Sequence, residues 1–273
     1  MSEADKKRRD RAAAAREAAN SDERRRERLV RIVGAITVVV VVFGIIGVAV
    51  IARNSSTTDA VDVPTADPNA ALPAGVLPTD DAHAYGVPYG TGGADAPVLA
   101  IWEDFQCPAC DAVEKANGAG IESLADAGKI QLVWRPTTFL DRNLGNDASA
   151  RATAAWGCAI DAGKAKEYHS TVFANQPQQE GDGYTDEQLL AFAGDVGIAG
   201  AELDTFTQCF ADRTYLGWAA NSTDVFYGSN VPGTPYATLN GVEVPTETLV
   251  DQPALEALVD GAASAPAASP ASS

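Results

Sequence analysis

Two cysteines separated by two residues are the feature of this sequence that most clearly points to chemistry. Cys107-Pro108-Ala109-Cys110 follows a short apolar run and precedes a helical pattern. A cysteine at the start of a helix faces unpaired backbone N–H groups and the positive end of the helix dipole, which favour the thiolate over the thiol. Cys110 lies one turn further on, where it can close a disulfide or resolve a mixed one. The motif therefore predicts thiol-disulfide exchange with Cys107 as the nucleophile.

Three other uses of the cysteine pair compete with this one. A zinc site would need Cys158 and Cys209 as further ligands, but these occur singly rather than as a second C-x-x-C pair. A purely structural disulfide between Cys107 and Cys110 would close almost no loop and would add little stability. A copper(I) carrier would use the same sulfur ligands, yet Met1 is the only methionine and neither histidine is near the motif in sequence.

The pattern around the motif predicts the elements that hold it. Strands are expected over 98–102 and 130–135 and on either side of the turn Asn240-Gly241, with helices over 111–127 and 249–260. Between them, about 146–230 has helical spacing, and Thr185 with Gln188 has the spacing of a capping box. Strands that bracket a helical stretch predict an α/β domain with an inserted helical subdomain.

An uncharged apolar run of 21 residues occupies 32–52. As a helix it would be about 30 Å long, enough to cross the hydrocarbon core of a bilayer. Residues 1–31 carry eleven Lys or Arg, whereas the stretch after Arg53 has none before Lys115. The positive-inside rule therefore predicts a single-pass anchor with a cytoplasmic basic segment and an extracytoplasmic domain. A cleavable signal peptide is the alternative, although its apolar region usually has roughly 7 to 15 residues.

The remaining chain divides by composition. Residues 53–82 mix Ser, Thr, Asp and Pro and are predicted to form a flexible linker, whereas 83–262 form the domain and 263–273 a disordered tail. With 46% hydrophobic residues, the chain is able to form a core. The net charge of −17 arises outside the basic N-terminal segment, and so acidic a domain argues against binding to nucleic acid.

The other two cysteines, Cys158 and Cys209, fall in the helical stretch beside apolar neighbours. Outside the cytoplasm two such cysteines most often pair. A structural disulfide between them is therefore expected, and a second redox relay to the C-x-x-C pair is the alternative.

The run APVLAIWEDFQCPAC, followed about 125 residues later by GTPYATLNG, resembles the DsbA-like thioredoxin-fold thiol-disulfide oxidoreductases of bacterial envelopes, in the membrane-anchored form of actinobacteria. The resemblance covers about 85–262. It implies a thioredoxin-like fold, no cofactor, and a cis proline at Pro235 that, with Thr234, docks an extended substrate beside the disulfide. It also implies unfolded or reduced exported proteins as clients and a quinone-linked membrane partner as the oxidant.

The sequence departs from the family pattern at three points. Ala109 replaces a histidine that would donate to the thiolate, and the adjacent Glu103, Asp104 and Asp111 are expected to oppose the thiolate by their charge. These two departures predict a less acidic Cys107 and a weaker oxidant than the family archetype. The family's buried acid, six residues before the nucleophile, is replaced by Ile101, and Glu103 or Asp104 is the expected substitute.

We expect the direction of reaction to be oxidation of substrate thiols. A reductase or isomerase supplied by a membrane electron carrier is the alternative. An apolar groove for unfolded clients is expected near Trp102, Phe105 and Tyr236.

Overall fold

A mixed sheet of five strands carries the dithiol motif at the end of its middle strand. The computed structural model describes residues 64–264. The strands are β1 (Val87–Tyr89), β2 (Val98–Glu103), β3 (Gln131–Pro136), β4 (Tyr236–Leu239) and β5 (Val242–Val244). Their spatial order is β1-β3-β2-β4-β5, with β2 and β3 parallel and every other pair antiparallel. The predicted thioredoxin-like α/β core is confirmed.

The register of the sheet brings the two distant motifs together. Strand β2 is apolar along most of its length, and Leu99 and Ile101 are completely buried, as expected of a central strand covered on both faces. Trp102 near its end pairs with Tyr236 of β4. Pro235, which precedes Tyr236, therefore lies level with the turn that follows β2.

The helix after the motif contains a π-helical turn. It begins at Pro108, whose fixed φ and missing N–H suit the first helical position. Helix α1 (Pro108–Val113) continues into the π turn Glu114–Gly118 and then into α2 (Ala119–Asp126), where one uninterrupted helix over 111–127 was predicted. A π turn rotates the following residues and is frequent near functional sites. Here it buries Asn117 and directs the Glu114 side chain towards the sheet.

The helical subdomain lies between β3 and β4 and begins earlier than the predicted residue 146. Its helices are α3 (Phe139–Leu144), α4 (Ala148–Asp161), α5 (Ala165–Ala174), α6 (Asp186–Asp195), α7 (Ala201–Ala211) and α8 (Leu216–Gly228). Helix α4 is rich in alanine and buried over most of its length, so its neighbours can pack closely around it. The capping box of Thr185 and Gln188 at the start of α6 is confirmed. Two helices, α9 (Thr246–Leu249) and α10 (Gln252–Ala263), follow the last strand.

The predicted flexible linker over 53–82 is wrong for its described part, 64–82. This segment packs on the domain, because its backbone groups form hydrogen bonds with side chains of the domain, which composition alone does not predict. The Asn221 amide accepts from the Asp67 N–H at 2.8 Å and donates to the Asp67 carbonyl at 2.7 Å. The Ala74 N–H donates to Asp161 at 2.8 Å, and Val76 is buried in the core. The folded domain thus begins well before residue 83.

Replacing Asn221 with alanine is expected to release this segment. The substitution leaves the Asp67 N–H and carbonyl without partners in a partly buried position, a cost of about 1 to 3 kcal/mol. Limited proteolysis should then cleave within 64–80 at least several-fold faster than in the wild type. Asn69→Ala, whose amide bonds only to the exposed Asp67 carboxylate, is the matched control. Equal cleavage rates in both variants would contradict the prediction.

The anchor and the tail fall mainly outside the described residues. The predicted basic segment 1–31 and membrane span 32–52 lie there, as do residues 265–273 of the predicted disordered tail. Within 64–264, no helix is both long enough and apolar enough to cross a membrane. Helix α10 extends to Ala263, one residue into the predicted tail.

Candidate active site

Cys107 and Cys110 lie where β2 gives way to α1, beside a cis peptide bond. Cys107 is the residue that caps α1, and the bond between Thr234 and Pro235 is cis. The Cys107 thiol donates a hydrogen bond to the Thr234 carbonyl at 3.4 Å. The structure therefore brings together all four residues that the sequence predicted for the redox site. Cys107 is 6% exposed and Cys110 is fully buried, so an incoming thiol meets Cys107 first.

The surroundings of the two sulfurs separate their pKa values. A hydrogen bond from Cys110 is the main cause that lowers the pKa of Cys107 to about 6, against the opposing effect of burial. The backbone N–H groups of Ala109 and Cys110 lower it further. Burial, followed by the interaction with Cys107, raises the pKa of Cys110 well above the usual value. Cys107 is thus the thiolate at neutral pH and Cys110 the thiol.

The reduced protein is expected to show a thiolate absorbance at 240 nm that rises with pH around a midpoint of about 6. Alkylation of Cys107 should follow the same curve, because only the thiolate reacts. Cys110→Ala should move the midpoint upward, since the hydrogen bond from Cys110 is the largest cause of the lowered pKa. Cys107→Ser, as the control, should lack the transition. An unchanged midpoint in Cys110→Ala would contradict this assignment.

The acidic neighbours do not oppose the thiolate in the way that the sequence suggested. Burial raises the pKa values of both Glu103 and Asp104 to about 8, so both are mostly neutral at pH 7. Asp111 pairs with Lys115 at 2.7 Å, which offsets its charge. The pKa of Cys107 still lies above the roughly 3.5 of the family archetype. Glu103 and Cys107 still repel each other when both are ionised, and this repulsion is among the causes that raise the pKa of Glu103.

Asp104 stabilises the turn and does not face the sulfurs. Its carboxyl accepts hydrogen bonds from the N–H groups of Gln106 at 2.9 Å and Leu140 at 3.1 Å and from the Ser149 hydroxyl. The Gln106 amide donates in turn to Asp141 at 2.8 Å. This buried network ties the turn before Cys107 to the helical subdomain. Of the two acids that the sequence proposed, Glu103 is the one whose charge acts on Cys110.

Glu103 belongs to a cluster that sequence reasoning missed. Its carboxyl lies 3.1 Å from Nε2 of His169, and a carboxyl oxygen of Glu114 lies within 4.8 Å of both side chains. Burial lowers the pKa of His169, so its ring is neutral at pH 7. These three side chains form the one potential metal-ligand group found within 64–264, and it includes neither cysteine. His169 is 66 residues from Glu103 and reaches it through the packing of α5, whereas Glu114 lies on the π turn of the helix that follows the motif.

The helical subdomain also holds the motif's backbone. The Gln176 amide donates to the carbonyls of Phe105 at 2.9 Å and Cys107 at 3.0 Å, and the Tyr184 hydroxyl donates to Phe105 at 2.9 Å. These contacts fix the turn between β2 and α1. No sequence signal marked either residue, because Gln176 follows the end of α5 and Tyr184 precedes the start of α6, both outside the C-x-x-C motif.

The expected client groove is wrong at two of its three residues. Trp102 and Phe105 are buried in the core, where Trp102 packs under the Arg135 guanidinium and Phe105 against Phe173. A buried strand end and an exposed client groove both contain apolar and aromatic residues, so composition does not show which of the two a residue belongs to. Tyr236 is partly exposed beside the cis proline.

Cys158 and Cys209 form the expected disulfide, with an S–S distance of 2.04 Å. It joins α4 to α7 inside the helical subdomain. Because both sulfurs are bonded to each other, they are not ligands that could complete an all-cysteine zinc site with Cys107 and Cys110.

Comparisons with known proteins match this architecture. Residues 86–260 match the family model described as Thioredoxin. Two curated proteins are similar in sequence, the Na(+)/H(+) antiporters NhaA 3 of Salinispora tropica and NhaA 1 of Salinispora arenicola. Each is 31% identical over 151 residues, which is 55% of this chain and 21% of the antiporter. The chain thus spans about a fifth of the length of these curated relatives.

Solved structures share the fold at low sequence identity. MdbA of Actinomyces oris, a thiol-disulfide oxidoreductase, matches with a TM-score of 0.58 and 24% identity over 73% of this chain and 96% of its own. Oxidised DsbA of Mycobacterium tuberculosis matches with a TM-score of 0.54 and 23% identity, over 66% of this chain and 93% of its own. Oxidised BdbD of Bacillus subtilis matches with a TM-score of 0.57 and 16% identity, over 72% of this chain and 100% of its own.

Proposed function

The chain belongs to the thioredoxin family, and from this premise we propose that it is an extracytoplasmic protein thiol-disulfide oxidoreductase of the DsbA type. Cys107 forms the mixed disulfide with a client, Cys110 resolves it, and Thr234 with Pro235 aligns the client's backbone. The clients are unfolded or reduced exported proteins.

The observation that carries this proposal is the asymmetry of the cysteine pair. Cys107 keeps 6% of its surface exposed and has a lowered pKa, whereas Cys110 is fully buried and has a raised pKa. A structural disulfide needs no such difference. In exchange chemistry the accessible sulfur must be attacked and must leave as a stable thiolate, and the second must act only within the protein.

The direction that we propose is oxidation of client thiols. A thiolate stabilised at Cys107 stabilises the reduced dithiol relative to the disulfide, and this makes the disulfide the more oxidising state. The apolar run at 32–52 and its basic flank support a single-pass membrane anchor with the domain on the extracytoplasmic side. An oxidase at that place needs a membrane oxidant, for which we propose a quinone-linked partner.

The test is a trapping experiment with the full chain. Cys110→Ser should accumulate covalent complexes with exported proteins that contain several cysteines, because the mixed disulfide on Cys107 can no longer be resolved from within. The oxidised wild type should also speed the oxidative refolding of a reduced, disulfide-containing substrate.

The reduction potential decides between oxidation and reduction of clients, and a double variant is the control for the trapping experiment. A reduction potential near or below the roughly −270 mV of thioredoxin would favour the reductase instead of the oxidase. The control for trapping is Cys107→Ser with Cys110→Ser, which should capture nothing. If Cys110→Ser captures no more than this double variant, the proposed function is wrong.

A further inference from the structure

Three side chains of types that bind metals meet at the end of β2. They are Glu103 on β2 itself, Glu114 on the π turn and His169 on α5. Their potential ligand atoms all lie within 4.8 Å of one another. Glu103 and His169 are 4% and 1% exposed, so this group is enclosed in the domain and is not a chance meeting of surface acids. The exchange chemistry of the two cysteines does not account for it.

Two polar atoms of this group lack the partners that buried atoms normally have. Glu103 Oε1 and His169 Nδ1 are both enclosed and form no hydrogen bond within residues 64–264. Buried polar atoms are nearly always bonded, so an atom without a protein partner marks the place of a water molecule, an ion or another ligand. Beside Glu103 and His169 lies a cavity of about 10 Å³, which is room for one water molecule.

The spacing of the group matches that of the ligands of a tetrahedral zinc ion. With bonds of about 2.0 to 2.1 Å, two zinc ligands stand about 3.4 Å apart. The Glu103 carboxyl and Nε2 of His169 are 3.1 Å apart, and the remaining pairs lie within 4.8 Å. Glu114 is partly exposed on the π turn, so its side chain can move to close the remaining distance. A hydrogen bond also explains the 3.1 Å, but it leaves Oε1 of Glu103 without a partner.

Charge and ligand type favour zinc over the other common divalent cations. Two carboxylates balance the double positive charge of the ion, so no net charge is buried once zinc displaces their protons. An imidazole nitrogen with two carboxylate oxygens is a ligand set that zinc accepts. Calcium and magnesium prefer six or more oxygen ligands, for which a cavity of this size has no room.

An apolar shell surrounds the group. The His169 ring packs against the Trp134 ring, with centroids 4.7 Å apart. Such a shell controls the access of solvent to a metal site. Arg135 borders the same cavity, but its guanidinium lies 3.9 Å over the Trp102 ring. Because consecutive strand residues point to opposite faces of a sheet, that ring lies on the other face from Glu103.

We propose that Glu103, Glu114 and His169 bind one zinc ion, with a water molecule as the fourth ligand. The ion links the central strand, the helix after the redox motif and the helical subdomain, because each of these elements supplies one ligand. None of the four cysteines belongs to the site, so zinc binding goes beyond the proposed function and does not depend on it.

The test is the binding of zinc sulfate to the oxidised full chain, prepared without a polyhistidine tag and in an excess of magnesium. Oxidation holds all four cysteines in disulfides, so no thiolate competes for the ion. Magnesium occupies the oxygen-only sites of the acidic surface. The wild type should bind one zinc ion per chain. Cobalt(II) should bind at the same place and give the intense visible absorption of a four-coordinate ion.

The decisive variant is Glu114→Gln, because it removes one ligand at a partly exposed position and leaves the core unchanged. Its affinity for zinc should fall at least about tenfold, and the visible absorption of cobalt should be lost. Glu122→Gln is the matched control. Glu122 acts electrostatically on Glu114 but lies outside the group, and its carboxyl accepts a hydrogen bond from Ser170 at 2.7 Å. This control should bind zinc as tightly as the wild type.

Thermal unfolding gives a second measurement that does not depend on the spectrum. Zinc should raise the Tm of the wild type and of Glu122→Gln, and should raise that of Glu114→Gln by less, because only binding to the folded state stabilises it. Absence of zinc binding in the oxidised wild type, or equal affinities in Glu114→Gln and Glu122→Gln, overturns the site. Neither result bears on the proposed function, which trapping with Cys110→Ser tests separately.

Discussion

The Cys107→Ser variant is expected to lose client oxidation by on the order of a thousandfold or more, because a serine hydroxyl is not ionised at neutral pH and forms no disulfide. Cys110 is not able to replace it, since that sulfur is fully buried and keeps its proton. The fold should survive, because a serine hydroxyl at 107 can still donate to the Thr234 carbonyl. The measurement is oxidative refolding of a reduced substrate by catalytic amounts of protein with an added oxidant.

The matched comparison is Cys110→Ser under the same conditions. It removes the other sulfur of the pair but leaves the nucleophile, so it should also fail to turn over while still forming one mixed disulfide per molecule. The two variants thus differ in covalent capture and agree in turnover. Retention of more than about a tenth of wild-type turnover by Cys107→Ser would contradict the assignment of the nucleophile.

Removing the disulfide between Cys158 and Cys209 is expected to cost about 4 kcal/mol in the free energy of unfolding, from the chain entropy of the loop that it closes. The two cysteines are 51 residues apart and join α4 to α7. For a domain of this size the loss corresponds to a decrease in Tm of roughly 10 °C. The experiment is urea unfolding of the double variant Cys158→Ala with Cys209→Ala.

The control for this experiment is the double variant Cys107→Ser with Cys110→Ser, which removes two sulfurs but no long loop closure. Its free energy of unfolding should stay within about 1 kcal/mol of that of the wild type in which Cys107 and Cys110 are reduced and the disulfide between Cys158 and Cys209 is intact. If the Cys158 and Cys209 variant unfolds at the same urea concentration as this control, the pair does not hold the helical subdomain together. The Cys158→Ala with Cys209→Ala variant should keep its oxidative refolding activity at 25 °C. Loss of that activity in a folded variant would instead support a redox relay through these two cysteines.

The reactive elements were predictable because they are local in sequence. Cys107 and Cys110 sit one helical turn apart, and a strand before them with Pro108 after the first cysteine specifies their geometry without tertiary information. The capping box at Thr185 is local for the same reason. Pro235 needed more than local pattern, and its place beside the motif came from the resemblance to a family.

Charge and exposure were not predictable, because both depend on what the rest of the chain packs around a residue. Glu103 and Asp104 look like charged neighbours in the sequence, but burial makes them mostly neutral. Trp102 and Phe105 fit an exposed groove or a core equally well by composition, and the core is what they occupy.

By itself the sequence located the C-x-x-C pair and the order of the elements around it, and it predicted the disulfide partners, since these depend on residue type and spacing. Only the tertiary structure decided that residues 64–82 belong to the folded domain and that Glu114 and His169 meet Glu103. The physical reason is that protonation and packing depend on neighbours that are distant along the chain. Contacts between such residues do not appear in the hydrophobic periodicity of the sequence.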